Sequence, residues 1–110
     1  MPDILLVNSP VPPGYKVKKI FGLVTGVTSR TRGMGGQFLA GLQAIGGGEV
    51  SAYTTEIEKA RFEAIERMRE KALGLGANAV VSVDVETADL GTSIIVVTAT
   101  GTAMILENPQ

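Results

Sequence analysis

The chain contains no cysteine, no histidine and no tryptophan, and each absence removes a class of function. Without cysteine there are no disulfides, no thiolate nucleophile and no cysteine-ligated zinc. Without histidine the chain lacks the commonest transition-metal ligand and the usual general base. A soft-metal site would have to use methionine sulfur, supplied only by Met1, Met34, Met68 and Met104. The composition therefore argues against catalysis and against soft-metal binding.

Charge of one sign and long apolar runs are also missing. Ten basic and eleven acidic residues leave a net charge of -1, without the positive field typical of a nucleic-acid-binding protein. No apolar stretch approaches the ~20 residues of a membrane span. The N-terminus has neither the basic region nor the long apolar segment of a signal peptide. We expect a soluble cytoplasmic protein with no membrane or nucleic-acid partner.

Aliphatic side chains, alanine and glycine must form the core, because hydrophobic residues make up 45% of the chain but aromatic residues only 5%. The length of 110 residues predicts a single domain over 1–110, with an N-terminal arm over 1–14 and a tail over 107–110. The arm contains the apolar run Ile4–Val7, which a proline-rich segment follows. This pattern predicts an edge strand or an extended arm.

Hydrophobic periodicity divides the rest of the chain into strands and one strong helix. It predicts strands over Lys16–Thr28, Ala79–Glu86 and Thr92–Leu106, and a helix over Ser51–Leu75. The last two strands should form a hairpin with its turn over 87–91. A weaker helix, rich in glycine, is predicted over 34–45.

Several local signals refine this prediction. Thr55 followed by Glu58 fits a capping box, and Gly74 and Gly76 predict a left-handed end to the long helix. The length of the last strand predicts a bulge near Gly101. Asn78 is expected to bind backbone groups at the helix-to-strand turn. Alternation in the first long strand places two sets of residues on opposite faces: Val17, Phe21, Leu23 and Val27 on one, and Ile20, Gly22, Val24 and Gly26 on the other. The paired glycines Gly22 and Gly26 predict that a helix or another backbone comes close there.

The order β-α-β-β predicts an α+β fold with a small mixed sheet and one long helix, whose crossover makes the first two long strands parallel. One helix covers only one face of the sheet, yet the strands carry apolar residues on both faces. The other face needs a partner, although the helix over 34–45 could cover part of it. We therefore expect a homo-oligomer, as a closed ring or another symmetric assembly.

Arg61 lies within the apolar stripe of the long helix and allows two main interpretations. Its stem can lie on the apolar surface while its head reaches water. Alternatively, it forms an ion pair with a carboxylate across a subunit interface. Direct contact with a ligand is a third possibility. The sequence leaves all three open.

Two groups of residues are candidate ligand sites. The loop Ser29–Gly36 could bind an anion or could be a simple turn; its candidate residues are Arg30, Arg32, Gly33, Gly35 and Gly36. The carboxylates Asp84, Glu86 and Asp89 could hold a hard cation such as Ca²⁺ or Mg²⁺, or could simply be solvated. No serine has a histidine to activate it, so no catalytic residue is predicted, and no cofactor is indicated.

The segment LGANAV at 75–80 resembles the YbjQ-like family of small bacterial and archaeal proteins. Further matches are Ala60-Arg61, Val83-Asp84-Val85, Thr100-Gly101-Thr102-Ala103, and Gly46-Gly47 followed by Ala52-Tyr53. The resemblance covers roughly Gly22 to Ile105. It implies a β-α-β-β subunit of dodecin-like shape, assembled as a pentameric ring that can pair into a decamer. The family carries a label of putative heavy-metal binding.

The chain departs from the family pattern in three places. Gly48-Glu49 stand where the family usually has Arg-Ser, Thr54 stands where it has an acidic residue, and Thr28–Gly36 matches poorly. The family offers no established catalytic residues. We expect a non-enzymatic homo-oligomer, pentameric by the resemblance, that binds a small ligand or an ion or acts as a scaffold. The alternatives are a metal-binding protein with carboxylate ligands and an enzyme with a site between subunits.

Overall fold

The computed structural model describes residues 4–31, 51–89 and 94–108. In order along the chain, the elements are β1 (Leu5–Leu6), β2 (Lys16–Thr31), α1 (Ser51–Leu75), β3 (Ala79–Asp89) and β4 (Ile94–Glu107). The helix predicted over 34–45 lies outside the described residues. Among those that are described, no helix is long and apolar enough to cross a membrane.

The four strands form one mixed sheet in the order β1-β3-β4-β2. Strand β4 is antiparallel to both neighbours, so β2 and β3 run in the same direction on either side of it. Strand β1 is parallel to β3 at the edge. Helix α1 connects β2 to β3 across the inserted β4. The predicted α+β class, the β-α-β-β order and the parallel direction of the first two long strands are confirmed.

The main core lies between α1 and one face of the sheet, which we call the helix face. The inward residues of α1 are almost fully buried: Ala60, Ala64, Met68 and Ala72. They pack against small and branched residues of the sheet, including Val24, Val80, Ile95, Val97, Ala99 and Ala103. The sequence periodicity predicts an apolar stripe along this helix, made of Ile57, Ala60, Ala64, Ile65, Met68, Ala72 and Leu75. The stripe is confirmed except at Leu75, which is half exposed.

The contact between α1 and β2 is closest at Gly26. A Cβ built on Gly26 would overlap the carbonyl oxygen of Ala64 and the amide nitrogen of Met68. The predicted close approach is therefore confirmed at Gly26. It is wrong at Gly22, where a Cβ would meet no atom within 4 Å. Gly22 instead has a φ of 115° next to a register shift with β4, a conformation that favours glycine.

The alternation of side chains along β2 is broken by two register shifts against β4, between Val17 and Lys19 and between Ile20 and Gly22. As a result, Ile20 pairs with Met104 on the face of the sheet opposite the helix, which we call the outer face, while Phe21 packs on the core of the helix face. The predicted faces of Ile20 and Phe21 were wrong, because each shift inserts a residue that strict alternation ignores.

Helix α1 ends in a hydrogen-bond pattern that glycine makes possible. The Ala77 amide donates to the Ala72 carbonyl over 3.1 Å, and the Gly76 amide donates to the Leu73 carbonyl over 3.0 Å. Gly76 has a φ of 93°, so this is a Schellman motif with glycine in the left-handed position. The predicted stop is confirmed. The capping box predicted at Thr55 is wrong, because α1 begins at Ser51 and Thr55 lies inside it.

Strand β3 is longer than predicted at the hairpin turn. Strand β3 continues through Thr87–Asp89, which pair with Val97–Ile95 of β4, so the predicted turn over 87–91 began too early. The predicted bulge is found opposite Gly101. Two residues of β3, Ser82 and Val83, span the register shift facing it, so the extra residue lies in β3 and not in β4.

The N-terminal arm extends the sheet beyond β1. The Val7 amide donates to the Val80 carbonyl over 3.1 Å, and the Ser82 amide donates to the Ser9 carbonyl over 2.8 Å. Ser82 has a φ of 54° and lies in the bulge. The predicted edge strand is confirmed. The arm also covers one end of the outer face. There, apolar side chains of the arm pack against buried residues of β3 and β4: Leu5, Val7, Val11 and Tyr15 against Ala79, Val81, Met104 and Leu106.

Asn78 joins the helix-to-strand turn to β4. Its side-chain Nδ2 donates to the Leu106 carbonyl over 2.9 Å, and the Leu106 amide donates to Oδ1 over 2.8 Å. The predicted backbone-binding role of Asn78 is therefore confirmed, with the partner on the neighbouring strand.

Apolar side chains along β2 remain exposed on the outer face. Val17 is 44% exposed, Ile20 61%, Leu23 74% and Val27 45%. We call these four residues the β2 outer patch. Neither α1, which packs on the helix face, nor the N-terminal arm covers this patch.

Replacement of Gly26 by alanine tests the close contact between α1 and β2. We expect Gly26→Ala to lower the free energy of unfolding by about 1–3 kcal/mol, because the added methyl group meets helix backbone that must shift. The measurement is urea unfolding followed by circular dichroism. The control is Gly74→Ala within α1, where a Cβ would meet no atom within 4 Å and where we expect a gain of about 0.5–1 kcal/mol. Equal effects of the two variants would contradict the close contact.

Candidate functional site

A charged cluster fastens α1 to the end of β2. Arg30 lies on the helix face of β2, two residues beyond the buried Thr28. Its Nη1 donates to Glu56 Oε2 and its Nη2 to Glu63 Oε2, both over 3.1 Å. Glu56 and Glu63 are seven residues apart on α1, which is close to two helical turns and therefore places them on one side of the helix. One guanidinium thus bridges two carboxylates.

Glu63 is the centre of this cluster. Its Oε1 accepts a hydrogen bond from the Thr28 hydroxyl. The same oxygen forms an ion pair with Arg67 Nη2 at 3.0 Å. Arg67 Nη1 also donates to the Val27 carbonyl over 2.6 Å. Glu63 and Arg67 are four residues apart on α1, a spacing at which opposite charges on a helix stabilise each other. The helix is therefore attached to both a side chain and a main-chain carbonyl of β2.

The pKa of Glu63 is lowered from its ordinary value of 4.5. The main cause is the hydrogen bond from the Thr28 hydroxyl, and the positive charges of Arg67 and Arg30 act in the same direction, while burial opposes them. The Thr28 hydrogen bond and the charges of Arg67 and Arg30 each favour the ionised form of the Glu63 carboxylate. The cluster therefore depends on Glu63 being charged.

This geometry changes the interpretation of the predicted anion loop. Both Nη atoms of Arg30 contact carboxylates, and its Nε is buried with no partner among the described residues. Arg30 is thus held by negative groups of its own chain, which disfavours its binding of an external anion. The other candidates of the loop, Arg32, Gly33, Gly35 and Gly36, lie outside the described residues. Anion binding by them stays a prediction.

Arg61 lies on the exposed side of α1, next to β3. Its Nε donates to the Thr87 hydroxyl over 3.4 Å. This contact brings the head of the side chain to the surface between α1 and β3, in agreement with a head that reaches water. A role for Arg61 at a subunit interface stays a prediction.

The three candidate carboxylates for a cation site lie on two faces of β3. Asp84 and Glu86 pair with Thr100 and Thr98 of β4 and share the outer face. Asp89 pairs with Ile95, which is buried on the helix face, so Asp89 belongs to that opposite face. Within the described ranges, no group of three or more acidic residues could hold a metal ion. A site of Asp84 and Glu86, with ligands from elsewhere, stays a prediction.

The cluster around Glu63 was not predicted from the sequence, although its residues recur there at a regular spacing. Thr28 and Arg30 alternate with outward residues of a strand, and Glu56, Glu63 and Arg67 recur at helical spacing. Polar residues at every second position near the end of a strand indicate a polar contact when charged residues recur along one side of the following helix. It was hidden because the strand was predicted to end at Thr28 and Arg30 was assigned to a loop.

Comparison with known proteins agrees with this architecture. A family model described as "Putative heavy-metal-binding" matches residues 4–107. A UPF0145 protein of Thermoplasma acidophilum is 40% identical over 108 residues, which is 98% of this chain and 91% of the relative. A UPF0145 protein of Saccharolobus solfataricus is 42% identical over 105 residues, or 96% of this chain and 92% of the relative.

A solved structure shares the fold. The crystal structure of a protein of unknown function from Pediococcus pentosaceus, in the DUF74 family, has a TM-score of 0.64 to this chain at 14% sequence identity. The match covers 94% of this chain and 98% of the other. The fold and these matches define a small α+β protein with one described helix and a four-stranded mixed sheet. The chain belongs to the YbjQ-like family, and the two relatives named above are UPF0145 proteins.

Replacement of Glu63 by glutamine tests the charged cluster. Because the pKa of Glu63 is lowered in the folded protein, the folded state binds this proton less readily than the unfolded state. The stabilisation is therefore present above pH 4.5 and is lost as the pH falls below that value toward the lowered pKa. We expect Glu63→Gln to be less stable than the wild type near pH 7, with a difference that shrinks on acidification.

The measurement is urea unfolding of both proteins between neutral pH and the acid range below the ordinary pKa of Glu63. Glu70→Gln is the control, since Glu70 is an exposed carboxylate on the same helix and should give a small difference without this pH dependence. A wild-type advantage over Glu63→Gln that stays constant with pH would contradict the assigned role of the carboxylate charge.

Proposed function

We propose that the protein is a non-enzymatic, cytoplasmic homo-oligomer that binds a small ligand or an ion, or acts as a scaffold, at surfaces between its subunits. The single observation that carries this proposal is the β2 outer patch. Its four members are between 44% and 74% exposed and lie along one strand. The number of copies, five in a ring, follows from the resemblance to the YbjQ-like family.

The size of the patch supports contact between subunits. Residues Val17 to Val27 extend over about 30 Å of strand at the usual rise per residue. Burying a large aliphatic side chain fully contributes roughly 1.5–3 kcal/mol, so Ile20 and Leu23 alone offer a substantial gain. Several large apolar side chains exposed along one strand commonly mark an interaction surface. Covering it with further copies of the chain is the economical solution.

The absence of enzymatic activity is proposed from the side chains. The whole chain lacks histidine and cysteine, so the usual general base and the thiolate nucleophile are missing. The most elaborate charged cluster in the described part, around Glu63, is engaged in attaching α1 to β2. Its groups stabilise the fold and are already paired with one another.

Heavy-metal binding, which the description of the family suggests, does not fit the residues of this chain. Soft metals favour thiolate, thioether and imidazole ligands, and neither cysteine nor histidine is present. Met68 is fully buried on the side of α1 that faces the sheet, and Met104 is buried on the outer face of the sheet. The sheet therefore separates the two described thioethers, and they cannot share one ion. A hard cation held by Asp84 and Glu86 is the second candidate, favoured by their shared face.

Replacement of Leu23 by glutamate tests the proposed assembly. The wild type should give a multiple of the subunit mass, five-fold or ten-fold, in native mass spectrometry. We expect Leu23→Glu to shift the mass toward the monomer, because a charge placed in an apolar contact is costly to desolvate. The control is Leu75→Glu, at a half-exposed position of α1, which should keep the wild-type mass. A monomeric wild type would overturn the proposal, and the patch would then require cover from within the chain.

Metal titration tests the rejection of a soft-metal site. We expect Zn²⁺, Cd²⁺ and Cu⁺ added to the metal-stripped protein to show no stoichiometric binding by calorimetry, because the chain offers no thiolate or imidazole. Ca²⁺ and Mn²⁺ serve as the hard-ion comparison. Tight binding of one soft ion per subunit would show that the methionines or unexpected ligands form a site after all.

A further inference from the structure

A cavity of about 340 Å³ lies at the end of the sheet where β1 and β3 begin and β4 ends. We call it the end cavity. Its apolar lining comes from Ile4, Leu5, Ala79 and Leu106. Its polar lining comes from Tyr15, Asn78 and Asn108. The volume lies within the range of cavities that hold small molecules, and an apolar lining with a few polar groups is typical of them.

Asn78 forms a fixed part of the end cavity. Its main-chain amide donates to the Met104 carbonyl over 3.1 Å, and its main-chain carbonyl accepts from the Leu5 amide over 3.0 Å. Its side chain exchanges two hydrogen bonds with the main chain of Leu106. Within the described part of the chain, these bonds leave one N–H of Nδ2 and one lone pair of Oδ1 available. The side chain is therefore held in place and still offers one donor and one acceptor.

A tight turn holds Tyr15 in the lining of the same cavity. The Tyr15 amide donates to the Pro12 carbonyl over 3.3 Å, and Gly14 has a φ of 88°. With Pro13 in the second position and a left-handed glycine in the third, this turn has the features of type II. The ring of Tyr15 also packs against the buried cluster on the outer face. Binding of a ligand therefore requires little further ordering of this side chain.

The lining determines the kind of ligand that fits. None of the described residues that line the end cavity is charged, whereas the groove beside Phe62 is lined mainly by charged residues. A charged ligand would lose hydration in the end cavity without gaining an ion of opposite sign, which is costly. Asparagine amides and a tyrosine hydroxyl each donate and accept hydrogen bonds. The lining therefore favours an uncharged ligand that has both donors and acceptors.

An amide group has this combination of donor and acceptor. An asparagine side chain pairs with a neighbouring donor and acceptor through two parallel hydrogen bonds, as it does with the edge of adenine. A carboxylate offers acceptors only, and an ammonium group offers donors only. Either would leave polar groups of the cavity unmatched. The apolar lining adds the requirement for an apolar body next to the amide.

We propose that the end cavity is a binding site for a small, uncharged molecule that combines an apolar ring with an amide group. The ring contacts the apolar lining at Ala79 and Leu106. The amide group is bound by the side chains of Asn78 and Asn108 and by the hydroxyl of Tyr15. One subunit supplies all of these residues, so the inference goes beyond the proposed homo-oligomer and does not depend on it.

A titration with benzamide, uracil and benzoate tests the proposed ligand class by ligand-detected nuclear magnetic resonance. Benzamide and benzoate share one ring and differ only in the amide or carboxylate group. We expect benzamide and uracil to bind with dissociation constants on the order of 1 mM or below, as suits ligands of few atoms. Benzoate should bind at least about 10-fold more weakly because of its charge. Equal binding of benzamide and benzoate would overturn the proposal, as would a lack of saturation by either amide at about 10 mM.

Replacement of Asn108 locates the site. Asn108 is exposed and follows the end of β4, so Asn108→Ala should keep the circular dichroism spectrum and the unfolding midpoint. We expect it to weaken benzamide binding by about 10-fold, because a hydrogen-bonding partner is lost. The matched control is Asn8→Ala, at an exposed position outside the lining, which should bind like the wild type. Tyr15→Phe keeps the ring and should also bind more weakly. Wild-type affinity in both Asn108→Ala and Tyr15→Phe would overturn the assignment of the end cavity.

The mass of the same wild-type sample separates this proposal from that of the homo-oligomer. A monomer that binds benzamide and loses this binding in Asn108→Ala would overturn the assembly and support the end cavity. An assembled protein that binds neither amide would overturn the end cavity and leave the assembly standing.

Discussion

The close contact between α1 and β2 at Gly26 is the constraint on which the rest of the structure depends. Because a glycine faces the backbone of Ala64 and Met68, the helix lies almost directly on the strand. The inward residues of α1 are then small, with three alanines among the four most buried. A helix held so close can cover only one face of the sheet. The N-terminal arm covers one end of the outer face, and the β2 outer patch is exposed.

The cluster around Glu63 complements this contact by fixing the position of α1 along and across β2. Exposed ion pairs usually contribute little to stability. Here the carboxylate also accepts a bond from the hydroxyl of Thr28, which is 2% exposed, and Arg67 reaches a main-chain carbonyl. Attachment to the strand at several points should keep the edge of β2 ordered before any partner binds. A preorganised surface loses less conformational entropy on association.

The sequence predicted the elements well where one signal dominated. The bounds of α1 at Ser51 and Leu75 were predicted correctly, because its apolar period is long and Gly76 ends it. Prediction failed where local and long-range effects compete. Thr55 has the pattern of a cap, yet earlier residues extend the helix. Thr87–Asp89 have the composition of a turn, yet pairing with β4 keeps them in the strand. The faces of Ile20 and Phe21 depend on register shifts that no pattern within β2 reveals.

The family resemblance has a physical explanation that concerns folding and not chemistry. In the segment LGANAV, Gly76 supplies the left-handed residue that ends α1, and Ala77 is buried beneath it. Asn78 binds the main chain of Leu106, and Ala79 and Val80 begin the buried part of β3. Every residue from 76 to 80 thus has a structural task, which leaves none free to bind a metal. What the resemblance transfers to this chain is therefore its architecture, while any ligand must be sought at the surfaces that the architecture leaves open.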